Sequence, residues 1–333
     1  MRATRILVVS ERDAGQRMDV FLSQSGVAVS RSAAKALVDE GAVAIEGKRP
    51  KPSAKIRKGD RVRVVLAEPR NSTLIPEALP LDILYEDDDL IVVNKDAGMV
   101  VHPSRGQTHG TLVHALMAHC PEMASLGEER PGIVHRLDKG TSGGMVVAKN
   151  AQTLVDLGRQ FKNREVKKHY VALVHGELSQ AAGRIELPVG RHPVDRKRMA
   201  VVPGRGRDAV TEWTRLRALR DFTLLKLATK TGRTHQIRVH LSHLKHPLVG
   251  DSLYGGKLGY HGSLLIERPA LHALTLGFQH PRGGAWMEFE APLADDIQRA
   301  VEEIESFESE VDKAKLFQYH HNDRRLNQSC HRP

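Results

Sequence analysis

The chain has 333 residues, enough for one large domain or two that each bury a core. Its 50 Lys and Arg outweigh 40 Asp and Glu, and the resulting formal charge of +10 points to a polyanionic partner such as a nucleic acid. No run approaches the length of a membrane span, the residues after Met1 lack the apolar stretch of a secretory signal, and Cys120 and Cys330 lie too far apart in sequence to suggest a disulfide framework, so a cytoplasmic protein is expected.

Residues 1–70 hold 15 Lys and Arg against 8 Asp and Glu, so a net +7 sits in about a fifth of the chain. Arg17 to Ser23 carries Met18, Phe21 and Leu22 at helical spacing. Ser30 can cap a second helix whose inner face is Ala33, Ala34, Leu37 and Val38, with Gly41 ending it. Short strands are expected over Ala42–Ile45 and Val62–Leu66, with turns at Glu46-Gly47 and Lys58-Gly59-Asp60. Arg31 and Lys35, four apart, share the exposed face of the second helix, where they could grip adjacent phosphates. Over residues 16–66 this unit resembles the small RNA-binding domain named after the fourth small-subunit ribosomal protein. Pro69, Pro76 and Pro80 then mark residues 67–80 as a linker between a domain at 1–66 and one at 81–300.

From residue 81 strands dominate. Ile83–Tyr85 and Leu90–Val93 flank an acidic turn, Glu86–Asp89, that reads as a solvated hairpin tip because no metal-loop spacing follows it. Thr111 to His119 reads as a helix with Leu112, Ala115 and Leu116 inward. His109, His114 and His119 recur every five residues, a spacing that does not place them on one helical face, so no metal is expected there.

Residues 131–149 read as strand, loop, strand: Ile133-Val134, then His135-Arg136-Leu137-Asp138 and the turn formers Gly140, Ser142, Gly143 and Gly144, then Met145 to Ala148. A carboxylate flanked by Arg136 and Lys139 suits chemistry on a polyanion; the alternative is an Asp that merely caps a turn. His-Arg-Leu-Asp-x-x-Thr-Ser-Gly, here His135 to Gly143, resembles the signature of RluA/RluD-type pseudouridine synthases, and the resemblance places their catalytic aspartate on Asp138. Two departures stand out. Asp96 occupies the place of a proline in the Pro-x-Gly-x-x-x-His-Pro element, and Gly144 stands where a larger apolar residue is usual, which could loosen packing beneath the loop.

Ala151 to Phe161 has a helical stripe of Leu154, Val155 and Phe161, and Glu165 to Gly176 alternates as a strand. The family's Lys-x-Tyr-x-Ala-x-Val-x-Gly strand matches here, which implies that Tyr170 lies against the target base; a tyrosine simply packed on a strand is the alternative. Residues 191–207, with Arg191, Arg196, Lys197, Arg198, Arg205 and Arg207 against Asp195, read as a flexible basic loop for phosphate contacts. Strands over 209–218 and 222–230 lead to a helix capped by Thr234, with Ile237, Leu241 and Leu244 inward, Arg233 at its entrance and Arg238 one turn in. The spacings of His235, His240, His243 and His246 fit no zinc motif. Thr231 to His240 resembles a second family motif, which implies that Arg238 pairs with Asp138. Leu248 to Gly255, Arg268 to Ala273 and His280-Pro281 resemble its remaining landmarks. Val301, Ile304 and Phe307 face inward on a last helix, and the rest of 301–333, including His320, His321, Cys330 and His331, reads as a disordered tail.

The resemblance implies an α+β protein: a small N-terminal RNA-binding domain before a catalytic domain built on a mixed, mainly antiparallel sheet with flanking helices. It implies that uridine is isomerised to pseudouridine with Asp138 as nucleophile and with Tyr170 and Arg238 beside it. Arg31, Lys35, Arg136, Arg191, Arg198 and Arg233 are the candidate RNA contacts. An isomerisation needs no cofactor, and neither a Gly-Lys-Ser/Thr phosphate loop nor a dinucleotide fingerprint is present. The layout favours large-subunit ribosomal RNA over transfer RNA, with no DNA and no membrane as partner, and a monomer. Two other classes stay open: a non-catalytic RNA-binding or assembly protein, and a glycosidase, which would need a second carboxylate.

Overall fold

The computed structural model describes residues 3–27, 31–66, 74–104, 106–127, 130–195, 197–256 and 266–306. Ser30, the side chain of Ala33, residues 67–73 of the expected linker, Arg196, Phe307 and the tail beyond it lie outside the described residues.

The N-terminal unit is a three-stranded antiparallel sheet, order β1 (Ala3–Val8), β3 (Arg61–Leu66), β2 (Val43–Ile45), packed on α1 (Met18–Gln24) and α2 (Arg31–Asp39). Met18, Leu22, Ala34 and Val38 are buried with Val43, Val62 and Val64, so the helical spacing found the inner faces correctly. Gly41 takes φ +78° and its N–H reaches Val38 O, closing α2 as anticipated. Sequence reading missed β1: it is an edge strand whose Ile6 and Val8 face solvent, so its run Ile6 to Val9 shows no clean alternation.

The larger unit is built on a nine-stranded mixed sheet. Its order is β4 (Ile83–Glu86), β5 (Leu90–Lys95), β6 (Ser142–Ala148), β13 (Leu271–Gln279), β7 (Lys167–His175), β12 (Phe222–Thr229), β11 (Val210–Leu219), β8 (Ala182–Glu186), with β14 (Trp286–Glu290) on β13. All its ladders are antiparallel except β13 with β6. Helices α3 (Leu112–His119), α4 (Ala151–Asn163), α5 (Gln236–His243) and α6 (295–306) flank it. Val301 and Ile304 of α6 are buried against Phe222 and Leu219, as their spacing predicted. No helix of the described residues is long and apolar enough to cross a membrane.

Several local expectations are corrected. The acidic turn is only half solvated. Asp87 accepts from the backbone of Asp89 and Leu90 and from Tyr85 and pairs with His280, Glu86 holds Lys149, and Asp89 is buried beneath Arg282 and Asn150. Glu86 stays exposed while it holds Lys149, and Asp88, 90% exposed, is the most solvated of the four. Val155 is exposed and Leu157 takes its place in the core, because the helix buries 154, 157 and 161. Residues 191–207 are not an open loop: β9 (Val189–Arg191) and β10 (Met199–Val201) pair as a hairpin. His109 precedes α3 and folds back so that its ring stacks on His114 at 6.0 Å, a proximity that helical spacing could not reveal.

The segment around Asp138 also differs in detail. Ile133 makes a single bridge to Val147 rather than a strand, and β6 starts at Ser142, so Gly143 and Gly144 lie inside it. At φ +112°, a Cβ on Gly143 would come within 2.3 Å of Ala273 O. Only glycine lets β6 approach β13 here. Gly144 has ordinary room, 3.7 Å from Ala273 O and Leu276 Cβ.

Candidate active site

Asp138 sits on the turn that enters β6, with Thr141 N–H bonded back to its carbonyl. Arg268 fastens this turn from β13's side: Nη1 donates to Gly140 O at 3.0 Å while Nε and Nη2 grip Asp296, both at 2.6 Å. The side chain of Asp138 is 18% exposed, at the floor of a cleft of about 90 Å³ also lined by Arg136, Tyr170, Thr231, Arg233, His235 and Arg238.

Arg238 comes from the first turn of α5. The expected Thr234 cap is corrected: His235 precedes the helix in the left-handed region (φ 56°), and the Gln236 side chain organises the entrance. Its Oε1 accepts from Arg233 N–H at 3.0 Å and Thr231 Oγ1 at 2.7 Å, and its Nε2 donates to Val210 O. That network aims Arg238 at two carboxylates. Nε and Nη2 reach Asp251 at 2.7 and 2.8 Å, and Nη1 lies 3.5 Å from Asp138 Oδ2. Burial opposes the charge, but Asp251, aided by Asp138 and Tyr254, holds Arg238 more firmly protonated than usual.

His235 lies with Nε2 3.9 Å from Asp138 Oδ2 and Nδ1 2.8 Å from Tyr254 Oη. Tyr254 Oη accepts the Met199 N–H at 2.8 Å. Burial lowers the His235 pKa, so the ring is neutral at physiological pH. Arg238 and Arg198 stack over Tyr254 at 5.0 and 5.3 Å, so Arg198 supports the wall of the site.

Tyr170, on β7, faces the cleft; burial pushes its hydroxyl up to about 12, so it stays protonated. Lys95, at the end of β5, is fully buried behind the Asp138 turn. Burial and nearby Arg268 draw its ammonium down to about 7 against the pull of Asp96 and Asp138, and it donates to Asp96 O and Met99 O at 2.6 and 2.9 Å.

The structure thus brings Asp138, Tyr170, Arg238, Arg136 and Arg233 to one cleft. Arg191 lies exposed on the β9–β10 hairpin, while Arg31 and Lys35 sit on α2, where Arg31 reaches the buried Asp19 at 3.2 Å. Sequence reading assigned no role to Asp251, Tyr254, Lys95 or Arg268. Their signal was present: Asp251 and Arg268 lie in the landmark runs quoted above, and a Lys closing a buried strand is unusual. Elsewhere among the described residues, Glu77 with His109 and His114, Glu86 with His119 and Cys120, and Asp87 with Asp89 and His280 place metal-type donors together. Lys149 already occupies Glu86, and Arg282 occupies Asp89.

A family model described as RNA pseudouridylate synthase matches residues 89–243, and one for the S4 domain matches residues 16–62. An uncharacterized RNA pseudouridine synthase of Bacillus subtilis, YlyB, is 43% identical over 90% of this chain and 97% of its own length. The chain belongs to the RNA pseudouridylate synthase family. It is an RNA pseudouridine synthase, an isomerase, with an N-terminal S4 domain that binds RNA. A Xanthomonas campestris relative named ribosomal large subunit pseudouridine synthase D is 42% identical, covering 89% of this chain and 91% of that one. Among solved structures, human RNA pseudouridylate synthase domain containing 1 superposes with a TM-score of 0.53 at 30% identity, covering 65% of this chain and 84% of its own. The fold expected from the resemblance, a small sheet domain before a mixed, mainly antiparallel sheet with flanking helices, is the fold found.

Proposed function

We propose that this pseudouridine synthase acts on uridines of large-subunit ribosomal RNA, with Asp138 as the nucleophile. The observation that carries the assignment is Asp138 at the floor of the cleft with one Arg238 nitrogen left over to face it. In this reading an Asp138 oxygen bonds to ribose C1′ as the C1′–N1 bond breaks, and its electron pair leaves on the uracil ring. The ring turns, C5 attacks C1′ and displaces the carboxylate; C5 then loses its proton and N1 gains one. Arg238 stabilises the carboxylate when it is released. Tyr170 offers a ring face for the base and a hydroxyl that can donate. The target must leave its stack to reach the floor, and exposed Arg136, which lines the cleft, is available to contact the RNA backbone beside it.

The substrate class rests on relatives named as large-subunit synthases and on the S4 domain. A glycosidase would use a second carboxylate, and the one across Arg238, Asp251, already spends both oxygens on that arginine. The test is tritium release from carbon-5-labelled ribosomal and transfer RNA by wild type and Asp138→Asn. Release from large-subunit RNA by wild type alone is the expected result. Release from transfer RNA alone overturns the substrate, and equal release by the variant overturns the nucleophile.

A further inference from the structure

A second cavity opens beside the Asp138 cleft and shares Arg136, Tyr170 and Arg233 with it. Its lining combines Arg130, Arg136, Lys162, Arg164 and Lys168, and no Asp or Glu among the described residues borders it. Around α4 this charge is not compensated by the described acids. On α4, Arg159 takes both nearby acids, Asp156 at 2.8 Å and Glu165 at 3.1 Å, and Asn163 also holds Glu165. Lys162, Arg164 and Lys168 therefore face the cavity with no carboxylate partner among the described residues.

Lys168 is partly buried on β7, two residues before Tyr170, so alternation along the strand puts both side chains on the same face. Burial, then Arg164, brings its ammonium down to about 8. Concentrating cations in a concave, partly desolvated site opposes folding unless an anion completes it. One wall is flat and uncharged: Phe161 stacks on His135 at 4.4 Å, and His135 Nε2 accepts the Val146 N–H, so that ring is neutral.

We propose that this cavity is a second RNA site, in which Arg164, Lys168 and Lys162 bind backbone phosphate of a nucleotide flanking the target uridine. The proposal rests on the reading of the Asp138 cleft as the uridine site. An RNA strand whose uridine enters that cleft past Arg136 and Tyr170 must continue over the shared rim. The cavity receives the phosphates there, and the His135–Phe161 wall offers a surface for the neighbouring base.

The test measures the dissociation constant of a large-subunit ribosomal RNA transcript as a function of salt, and pseudouridine formation at saturating RNA. It compares the full chain with Lys168→Gln, Arg164→Gln with Lys168→Gln, and Lys168→Arg. The double variant should bind about tenfold more weakly, with a salt slope smaller by about 1 to 2, as expected when one or two phosphate contacts are lost. Turnover at saturating RNA should stay within about twofold, and Lys168→Arg should restore affinity and slope, which a general loss of fold would not allow. Unchanged affinity and slope overturn the proposal. So does a loss confined to turnover. If wild type modifies no uridine in the transcript while affinity and slope still fall, the phosphate site stands and the substrate assignment fails.

Discussion

Asp251, not Asp138, is the bidentate partner of Arg238: two parallel contacts of 2.7 and 2.8 Å bind the guanidinium to Asp251, against a single 3.5 Å approach to Asp138. Asp251 is 1% exposed, so the pair is a buried anchor, and Asp138 receives only the donor that the anchor leaves over. This arrangement holds the cation in place whether or not Asp138 is bonded to substrate.

Breaking the anchor leaves a buried charge unmatched, which typically costs about 3–5 kcal/mol. Asp251→Ala should therefore lower thermal stability sharply and abolish activity, although it touches no substrate. Differential scanning calorimetry with a tritium-release assay checks both, and wild-type stability in the variant would refute the anchoring role.

Asp138→Asn is nearly isosteric at a partly exposed position. Pseudouridine formation should fall by about 10³-fold or more, with midpoint temperature and RNA affinity close to wild type. A large drop in stability instead would mark Asp138 as a structural turn residue.

Because burial holds the Tyr170 hydroxyl at about 12, it acts as a donor throughout the neutral range. Tyr170→Phe should keep RNA affinity through its ring yet lose turnover, whereas Tyr170→Ala should lose both. Single-turnover kinetics separate the two effects, and full turnover by the Phe variant would leave the hydroxyl without a role.

Lys95 links stability to pH. Its native pKa of about 7 lies below the ordinary 10.5, so between those values the unfolded chain binds the extra proton. The contribution of this group to stability therefore rises with pH across that window and is least below pH about 7. Melting curves of wild type and Lys95→Met at pH 7 and 9.5 should diverge, with wild type gaining relative to the variant; parallel curves would show that the ammonium is not buried as described.

The two glycines after Ser142 should behave differently. Gly143→Ala forces a Cβ within 2.3 Å of Ala273 O and should prevent soluble expression or cost several kcal/mol, about the range of severe core mutations. Gly144→Ala, with 3.7 Å of clearance, should be tolerated and, by filling space beneath the loop, should not lower the midpoint temperature.

The helices, the β7 strand and the Asp138 signature were legible because each is written in local periodicity or in a contiguous motif. Met18, Leu22 and Val38, or Val301 and Ile304, reveal an inner face wherever the chain folds around them. The resemblance also singled out Asp138, Tyr170 and Arg238, which the fold brings to one cleft, and the +10 charge agrees with an RNA substrate. The sequence could not show that Arg238 divides its donors between residues 100 and 13 positions away, because such pairing depends on where β6 and the loop after α5 end in space. Edge strand β1 escaped because its apolar Ile6 and Val8 face solvent, and the tied acidic turn and the buried Lys95 escaped because a charged residue looks solvent-facing in one dimension: only long-range packing decides which residues are enclosed and what neutralises enclosed charges.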